Sequence, residues 1–384
     1  MSKINIGIIG TGSIVATYKK CIDALEDTQL IALYTKSPNR INEAEREFGV
    51  PVFSDMDAFL QNEMDLVCVC NESGRHGEAI RSVARAGKHV LSEKPLETTP
   101  EKIDGIIAIC RAQNVKLGCT LQNRCSADYQ RVAEAVRSGK LGKLLMGNAH
   151  IDWYRPESYY AESDWKGSKE FDGGAAFINQ GIHTIDLLLH LMGPVRSVFG
   201  KVDTLVHGIE GEDVGVALLN FENAAMGSIT AGTALYPGYP ERIEIYGEHG
   251  SILMEGGKIK AWNIKATPAS KTKANETGES DATAPNTTSD GEPVNDATVP
   301  NTTFDGEPVN GTFARNTTAD ENAGSGAADP TAIGHQNHKV VIADMIEAIR
   351  KDRPPMVDGP EARKAVAVIA AIYESSKRGE LIFL

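Results

Sequence analysis

The sequence of 384 residues lacks any run of about eighteen apolar residues, the length that a helix needs to cross a bilayer. From Met1 the chain passes straight into an apolar strand pattern without the features of a signal peptide, so we expect a cytoplasmic protein that is neither secreted nor membrane-inserted. Cysteine is scarce, at six residues, with no CxxC pair and no histidine at zinc spacing. We therefore expect free, mostly buried thiols in a reducing compartment and no metal centre.

Positive charge is also scarce. The formal net charge is −13, from 39 basic and 52 acidic residues. Residues 275–331 contain eleven acidic residues and one basic residue, Arg315, which is a charge of −10 and leaves −3 for the rest of the chain. Because the remainder is nearly neutral and offers no broad basic surface, we expect neither nucleic acid nor a membrane surface as a partner.

The acidic segment also holds an internal repeat. Two fifteen-residue units rich in Thr, Asn, Asp, Gly and Pro follow each other at 282–296 and 297–311, and a decayed third unit comes after them. Such units have almost no apolar side chains to bury, so they cannot offset the conformational entropy lost on ordering. We predict a disordered acidic insertion at about 264–332.

Around this insertion, the apolar patterns predict two kinds of structure. Through the first 120 residues, short apolar runs alternate with segments of helical periodicity, which predicts a parallel sheet with helices on both faces. From about Arg124 onward, strand patterns follow one another with few helices between them, which predicts an open, largely antiparallel sheet. The predicted fold is an α/β domain at 1–123 and an α+β domain at 124–384 that contains the insertion.

The first strand pattern ends in Gly10-Thr11-Gly12 and leads into a helix pattern that begins at Ser13 and Ile14. Gly10 permits a tight turn, Gly12 lets the backbone approach a pyrophosphate, and the helix N-terminus supplies amide donors. Val15 stands where a third small residue is usual, so an ordinary strand-to-helix turn is the alternative to a dinucleotide site.

The end of the second strand pattern lacks the acid that usually hydrogen-bonds the ribose of NAD. Two hydroxyls and two cations that suit a 2′-phosphate stand there instead: Thr35, Lys36, Ser37 and Arg40. We therefore expect NADP to be preferred to NAD. The alternative is that Lys36 and Arg40 belong only to a solvated loop.

Two further clusters carry candidate chemistry. Lys94 follows the fifth strand pattern, at the carboxyl edge of the predicted sheet, where burial beside a cofactor would lower its pKa toward the range of acid-base catalysis. Asn179, His183 and Asp186 are spaced four and three apart, so on a helix they would share a polar face suited to recognising hydroxyls. A metal site from His183, Asp186 and His190 ranks lower, since no cysteine or further acid joins them.

Residues 153–167 combine aromatic and basic side chains. Tyrosine and tryptophan faces stack on the C–H side of a pyranose ring, while a basic group pairs with a carboxylate or phosphate. The segment predicts a carbohydrate-binding wall formed by Arg155, Tyr160, Trp165 and Lys166. For Tyr159 and Tyr160 the alternative is that they fill the core between the domains.

The Gly10-Thr11-Gly12 turn, the Glu93-Lys94-Pro95 triplet and the Gly-Gly-x4-Asn-x3-His-x2-Asp pattern that ends at Asp186 together resemble the glucose-fructose oxidoreductase / inositol dehydrogenase / MocA family. The resemblance spans the chain apart from 264–332. It implies a dinucleotide-binding Rossmann domain at 1–123 and a substrate-binding and oligomerisation domain at 124–384. It also implies an NAD(P)-dependent enzyme that exchanges hydride with a hydroxyl-bearing carbon of a sugar, inositol or nucleotide sugar, with Lys94, His183 and Asn179 at the catalytic centre.

The same resemblance extends to further site residues. It implies cofactor contacts from Asn71, Ser73, His76 and Glu93, and substrate contacts from Asn123, Arg124 and Asp186. Two departures stand out: Asn179 replaces the aspartate of many members, and Asn71-Glu72-Ser73 replaces the usual Thr-Pro-Asn. The segment at 153–167 is similar to a subgroup that includes dehydrogenases working at C3 of UDP-linked amino sugars and uronates.

Two other functions stay open at this point. One is a non-catalytic protein that senses a dinucleotide, although the presence of both Lys94 and His183 counts against it. The other, within enzymes, is a keto-sugar reductase. Because an open sheet exposes one apolar face that association would bury, we also expect a homodimer or homotetramer.

Overall fold

The computed structural model describes residues 3–265 and 335–384, which belong to one compact unit. Apart from its first two positions, the predicted acidic insertion lies outside these described residues. No described helix is both long enough and apolar enough to span a bilayer.

The first half of the chain forms a six-stranded, entirely parallel sheet. Its strands lie in the spatial order β3-β2-β1-β4-β5-β6. Their bounds are β1 (Ile4–Ile9), β2 (Thr28–Tyr34), β3 (Val52–Phe53), β4 (Leu66–Val69), β5 (His89–Ser92) and β6 (Leu117–Cys119). The order reverses direction between β1 and β4, which opens a crevice at the carboxyl ends of these strands, where parallel sheets bind ligands.

Helices connect these strands and cover both faces of the sheet. They are α1 (Ile14–Asp23), α2 (Ile41–Phe48), α3 (Met56–Leu60), α4 (His76–Arg85), α5 (Pro100–Ala112) and α6 (Ala127–Arg137). Helix α5 begins with Thr99 as its cap, whose hydroxyl accepts from the amide of Lys102, and Pro100 occupies the first turn. The predicted parallel α/β half is confirmed.

The second half is built on an eight-stranded sheet with the order β13-β12-β11-β7-β10-β9-β8-β14. Its strands are β7 (Leu144–Asp152), β8 (Val195–Asp203), β9 (Val214–Phe221), β10 (Met226–Gly232), β11 (Arg242–Gly247), β12 (Gly250–Glu255), β13 (Lys258–Ile264) and β14 (Ile382–Phe383). All neighbouring pairs are antiparallel except β7 and β10. The predicted largely antiparallel sheet is confirmed, although the two-residue edge strand β14 was not predicted.

Four more helices complete the described chain: α7 (Glu157–Ala161), α8 (Ile182–Met192), α9 (His335–Arg350) and α10 (Gly359–Arg378). Helix α9 returns to the first sheet, where Val341, Ile342 and Met345 share a core with β1. Helix α10 begins with Asp358 as its cap and packs against β8 and α5. The two closing helices therefore tie the first and second sheets together.

Arg124 and Asp186, which were both predicted as substrate contacts, form a buried ion pair with each other. Both Nε and Nη2 of Arg124 donate to the Asp186 carboxylate, at 2.7 and 2.6 Å, and Nη1 donates to Glu361 at 3.0 Å. Both side chains are at most 5% exposed. The Arg124 guanidinium thus uses its donors to join the segment before α6 to α8 and α10. Neither Arg124 nor Asp186 lines the cavity at the carboxyl ends of the parallel strands.

Removing one partner of this pair should destabilise the protein. Arg124→Met leaves the Asp186 carboxylate buried without its cation, so we expect the free energy of unfolding to fall by about 3–5 kcal/mol. Urea titration followed by circular dichroism measures it. The matched control is Arg363→Met, which breaks an exposed pair with Asp104 and should change stability little. Equal losses in the two variants would show that burial of the Arg124 pair does not matter.

Candidate active site

A cavity of about 580 Å³ opens at the carboxyl ends of the parallel strands. Twelve of the thirteen residues predicted to hold the cofactor line it: Gly10, Gly12, Ser13, Ile14, Thr35, Lys36, Ser37, Asn71, Ser73, His76, Glu93 and Lys94. The thirteenth, Arg40, lies beside it and donates from Nη2 to the carbonyl of Thr11 at 3.1 Å. Trp165 and Asn179 reach the same cavity from the second half of the chain.

The turn after β1 has the shape that a pyrophosphate requires. Gly10 has a φ of +120°, and a Cβ there would lie 2.6 Å from the carbonyl oxygen of Cys70, so only glycine fits. A Cβ on Gly12, by contrast, would meet nothing within 4 Å, because this glycine faces the open cavity. The backbone beside the N-terminus of α1 is therefore free to approach a phosphate group, and the residues present fit a dinucleotide.

The end of β2 holds the hydroxyls and cations that were predicted to select the cofactor. Thr35 is buried, and its Oγ1 accepts from the amide of Ser37 at 3.2 Å and from the hydroxyl of Thr11 at 3.3 Å. Lys36 forms a 3.0 Å ion pair with Glu78, a carboxylate that α4 brings to the cavity. The loop thus has no acid of its own, but one faces it from the neighbouring helix.

The loop after β4 is clamped to the loop after β5 by His76. Its Nδ1 lies 2.8 Å from the carbonyl of Pro95 and its Nε2 lies 3.0 Å from the carbonyl of Asn71. Burial lowers the pKa of this imidazole, while its two carbonyl partners act in the opposite direction. The Oδ1 atom of Asn71 is buried without a hydrogen-bond partner among the described residues, which is a vacancy that a ligand donor would fill.

Lys94 lies where the two halves of the chain meet. Its Nζ donates to the main-chain carbonyl of Asn179 at 2.9 Å. Burial lowers the pKa of Lys94, while the carboxylates of Glu93 and Asp172 act in the opposite direction. A desolvated ammonium that is held by one carbonyl is suited to exchanging a proton with a substrate hydroxyl.

The predicted polar face of one regular helix is wrong in its geometry. Ala176–Gly181 form a π-helical turn, and α8 begins only at Ile182, so the wider turn breaks the spacing of four between Asn179 and His183, while His183 and Asp186 keep their spacing of three on α8. Asn179 therefore faces Lys94, whereas Asp186 points to Arg124. His183 lies near enough to Lys94 to feel its charge. Burial and this charge both lower the pKa of the His183 imidazole.

His183 is half-buried and does not belong to the residues that line the cavity. Its Nδ1 has no hydrogen-bond partner within the described ranges. A neutral imidazole beside Lys94 can accept or donate one hydrogen bond to a ligand hydroxyl. His190, by contrast, places its Nδ1 atom 2.5 Å from the hydroxyl of Tyr129. The described residues contain no group of three His, Cys, Asp or Glu side chains that could hold a metal ion.

The aromatic and basic segment reaches the cavity only through Trp165. Arg155 is 1% exposed, donates to Oε1 of Gln180 at 2.8 Å and lies over the rings of Trp153 and Tyr159. Three other predicted substrate residues also contact protein neighbours: Tyr160 bonds Thr233, Lys166 pairs with Glu162, and the carbonyl of Asn123 accepts from the amide of Ser126. None of these four residues lines the cavity.

The sequence analysis missed several side chains of this site. Asp172 accepts from the side-chain amide of Asn179, and Gln180 joins Asn179 to Arg155. Gln180 lies inside the Gly-Gly-x4-Asn-x3-His-x2-Asp pattern and Asp172 immediately precedes it. A polar residue in this apolar stretch was therefore an available signal. Tyr18 and His338 contact Glu93 from α1 and α9, and their distance in sequence gave no such signal.

Comparison with known proteins agrees with this geometry. Residues 4–121 match the model of an oxidoreductase family with an NAD-binding Rossmann fold, and residues 129–253 match the GFO/IDH/MocA C-terminal domain. The myo-inositol 2-dehydrogenase of Thermotoga maritima is 28% identical over 261 residues, which cover 66% of this chain and 75% of the relative. The scyllo-inositol 2-dehydrogenase (NADP(+)) IolW of Bacillus subtilis is 25% identical over 256 residues, which cover 66% and 69%.

A solved structure extends the similarity to the whole chain. The WlbA dehydrogenase from Bordetella pertussis, in complex with NADH and UDP-GlcNAcA, is 29% identical with a TM-score of 0.79, and the match covers 100% of this chain and 99% of that one. The two family models together span more than half of the 384 residues. The chain therefore belongs to the GFO/IDH/MocA family of NAD-binding oxidoreductases, as its motifs predicted.

Proposed function

We propose that this oxidoreductase exchanges hydride with a hydroxyl-bearing carbon of a sugar, an inositol or a nucleotide sugar. The observation that carries the proposal is the half-buried Lys94 ammonium, which lines the dinucleotide cavity and is held by the carbonyl of Asn179. Residues 1–123 would hold the dinucleotide, and residues 124–384 would supply the substrate contacts. A keto-sugar reductase uses the same groups in the opposite direction.

Within this class a UDP-linked amino sugar or uronate is the first substrate to test. The similarity to the WlbA dehydrogenase spans the whole chain, whereas the inositol dehydrogenases match about two thirds of it. Trp165 at the cavity and the basic side chains of Arg155 and Lys166 behind it suit a charged carbohydrate.

Different residues of this chain bind the cofactor, carry the proton and hold the substrate oxygen. The bound cofactor supplies hydride chemistry at its nicotinamide ring. Gly12 and the N-terminus of α1 hold the pyrophosphate, and the free Oδ1 of Asn71 accepts a hydrogen bond from the ligand. Lys94 takes the hydroxyl proton on oxidation or gives it on reduction, while His183 and Asn179 hold the oxygen that gains or loses the proton.

Replacing the proton carrier should abolish most turnover. Lys94→Met keeps the apolar stem but cannot transfer a proton, so we expect kcat to fall on the order of 10²- to 10⁴-fold with little change in cofactor affinity. Steady-state assays with a panel of sugars, inositols and UDP-sugars, together with fluorescence titration of the cofactor, measure both quantities. Lys140→Met, at an exposed position, is the control.

His183→Ala should reduce turnover and substrate affinity together, since this imidazole is assigned to both. Full activity in Lys94→Met would assign the proton to His183 or to water instead. Cofactor binding without hydride exchange across the whole substrate panel would favour the alternative of a dinucleotide sensor.

The cofactor proposal is a preference for NADP(H) over NAD(H). Its support is the absence of an acid on the loop after β2 and the presence there of Thr35, Ser37, Lys36 and Arg40. The Glu78 carboxylate that pairs with Lys36 opposes the binding of NADP, because the 2′-phosphate would have to replace this carboxylate as the partner of Lys36. The preference therefore depends on one exposed ion pair, and such pairs are weak.

Two substitutions should move the preference in opposite directions. Glu78→Gln removes the competing charge, so we expect NADPH affinity to rise about two- to fivefold, the factor that an exposed ion pair represents. Thr35→Asp places a carboxylate against the phosphate and should favour NADH. Fluorescence titration of both reduced cofactors tests the proposal, and tighter binding of NADH than of NADPH by the parent protein would refute it.

We also propose that the protein is a homodimer or homotetramer formed through the outer face of the second sheet. Phe199, Leu218 and Ser228 are neighbours in register across β8, β9 and β10, and Met226, Met146 and Tyr246 form the next row. Five of these side chains are exposed hydrophobic residues, and such a contiguous patch favours association.

A charge in this patch should break the assembly without unfolding the chain. Leu218 is 62% exposed, so Leu218→Asp costs the monomer little but would bury a carboxylate in the interface. We expect sedimentation velocity to show a smaller species than the parent. The control is Leu205→Asp, at a similarly exposed position outside the strands. A monomeric parent protein would contradict the proposal.

A cytoplasmic location is the last part of this proposal. All six cysteines are free, and five of them are buried. Burial raises the pKa of their thiols, which keeps them protonated and unreactive, as suits a protein that needs no disulfide.

A further inference from the structure

Asp172 is a buried carboxylate that is linked to Lys94, the lysine of the active site, through one intervening residue, Asn179. It is 1% exposed, and its Oδ2 accepts from the amide of Gly167 at 2.8 Å. Its Oδ1 accepts from the side-chain amide of Asn179. The main-chain carbonyl of the same Asn179 accepts from Nζ of Lys94 at 2.9 Å. Asn179 thus lies between the buried Asp172 and the half-buried Lys94.

We propose that Asp172 is a positioning residue for Lys94, which it orients through Asn179 and whose protonation it controls by its charge. The inference rests on the proposed function in that Lys94 is the group that exchanges the substrate proton. It restores a carboxylate to a site in which Asn179 itself supplies none, from a position seven residues earlier in the chain.

The surroundings of Asp172 make its charge matter. The groups that act on it or feel its charge are Lys94 beyond β5, Glu212 before β9, Tyr159 and Tyr160 of α7, and Tyr373 of α10. Among these described groups Lys94 carries the positive charge and Glu212 the like charge. Lys94 itself also faces Glu93, which raises its pKa, and Arg155, which lowers it.

The two charges should titrate as a coupled pair. Burial raises the pKa of Asp172 to about 7, although its hydrogen bonds to Gly167 and Asn179 oppose the shift. Above that pH the ionised carboxylate favours the ammonium form of Lys94 and raises its pKa. When Asp172 takes a proton, this support is lost and the pKa of Lys94 falls further below its ordinary value.

Two nearly isosteric substitutions should therefore shift the pH dependence in opposite directions. Asp172→Asn removes the negative charge but keeps a hydrogen-bonding side chain, so the pKa of Lys94 should fall. Asn179→Asp puts two carboxylates in contact, which must share a proton and so keep one negative charge through neutral pH. The pKa of Lys94 should then rise.

The first readout is the pH profile of kcat/KM for alcohol oxidation, which needs neutral Lys94. Its acidic limb should move to lower pH in Asp172→Asn and to higher pH in Asn179→Asp. The second readout does not need turnover: trace labelling of Lys94 with acetic anhydride in the full-length protein, quantified by mass spectrometry across pH, follows the neutral amine directly. The two readouts should shift in the same direction.

The control variant is Glu162→Gln, which removes an exposed carboxylate from the same half of the chain and should leave both profiles in place. Asp172→Glu, which keeps the charge, should retain a limb near that of the parent. If the labelling curves of Lys94 shift in opposite directions in Asp172→Asn and Asn179→Asp but the protein shows no turnover, the coupling of Asp172 to Lys94 holds and the proposed function is overturned. Unchanged labelling curves, or shifts in the same direction, would overturn the coupling even in an active enzyme. If Asp172→Asn does not fold, the upward shift in Asn179→Asp decides the matter alone.

Discussion

The placement of one half-buried ammonium, that of Lys94, is the constraint on which this site depends. Lys94 follows a strand of the parallel sheet, but its Nζ donates to Asn179, a residue of the second half of the chain. Desolvation of an ammonium is costly unless it is hydrogen-bonded or faces opposite charge. Glu93 beside it and Asp172 behind Asn179 provide that charge. The site therefore requires both halves of the chain to be in place at once.

This requirement explains why polar side chains are concentrated at the junction of the two halves. Tyr18 and His338 contact Glu93, and Thr120 hydrogen-bonds the hydroxyl of Tyr18. Gln180 and Arg155 continue the hydrogen-bonded layer from Asn179. Nearby, Arg124 joins Asp186 and Glu361 across three segments. Buried polar groups of this kind contribute less to stability than apolar packing would, but each fixes the position of the next.

The sequence was sufficient for the parts of the structure that depend on local patterns. Apolar runs of a few residues located the parallel strands, and Gly10, Gly12 and Lys94 line the cavity because the carboxyl ends of parallel strands meet at one edge. The π-helical turn at Ala176–Gly181 was beyond such reasoning, since its hydrogen bonds follow from tertiary packing rather than from residue spacing. The ion pair of Asp186 with Arg124 was equally beyond it, since the two residues lie 62 positions apart in sequence.

Residues that come from distant parts of the chain mark the other limit. Glu78 faces Lys36 across 42 residues, and nothing in the loop after β2 indicates that a carboxylate of α4 completes it. His338 reaches Glu93 from beyond the acidic segment, although it belongs to no motif. Each adds a charge or a polar ring next to a group that the motifs identify. The motifs of this family thus identify the groups for which we propose the chemistry, whereas the pKa of those groups and the choice of cofactor depend on neighbours that only the folded chain brings together.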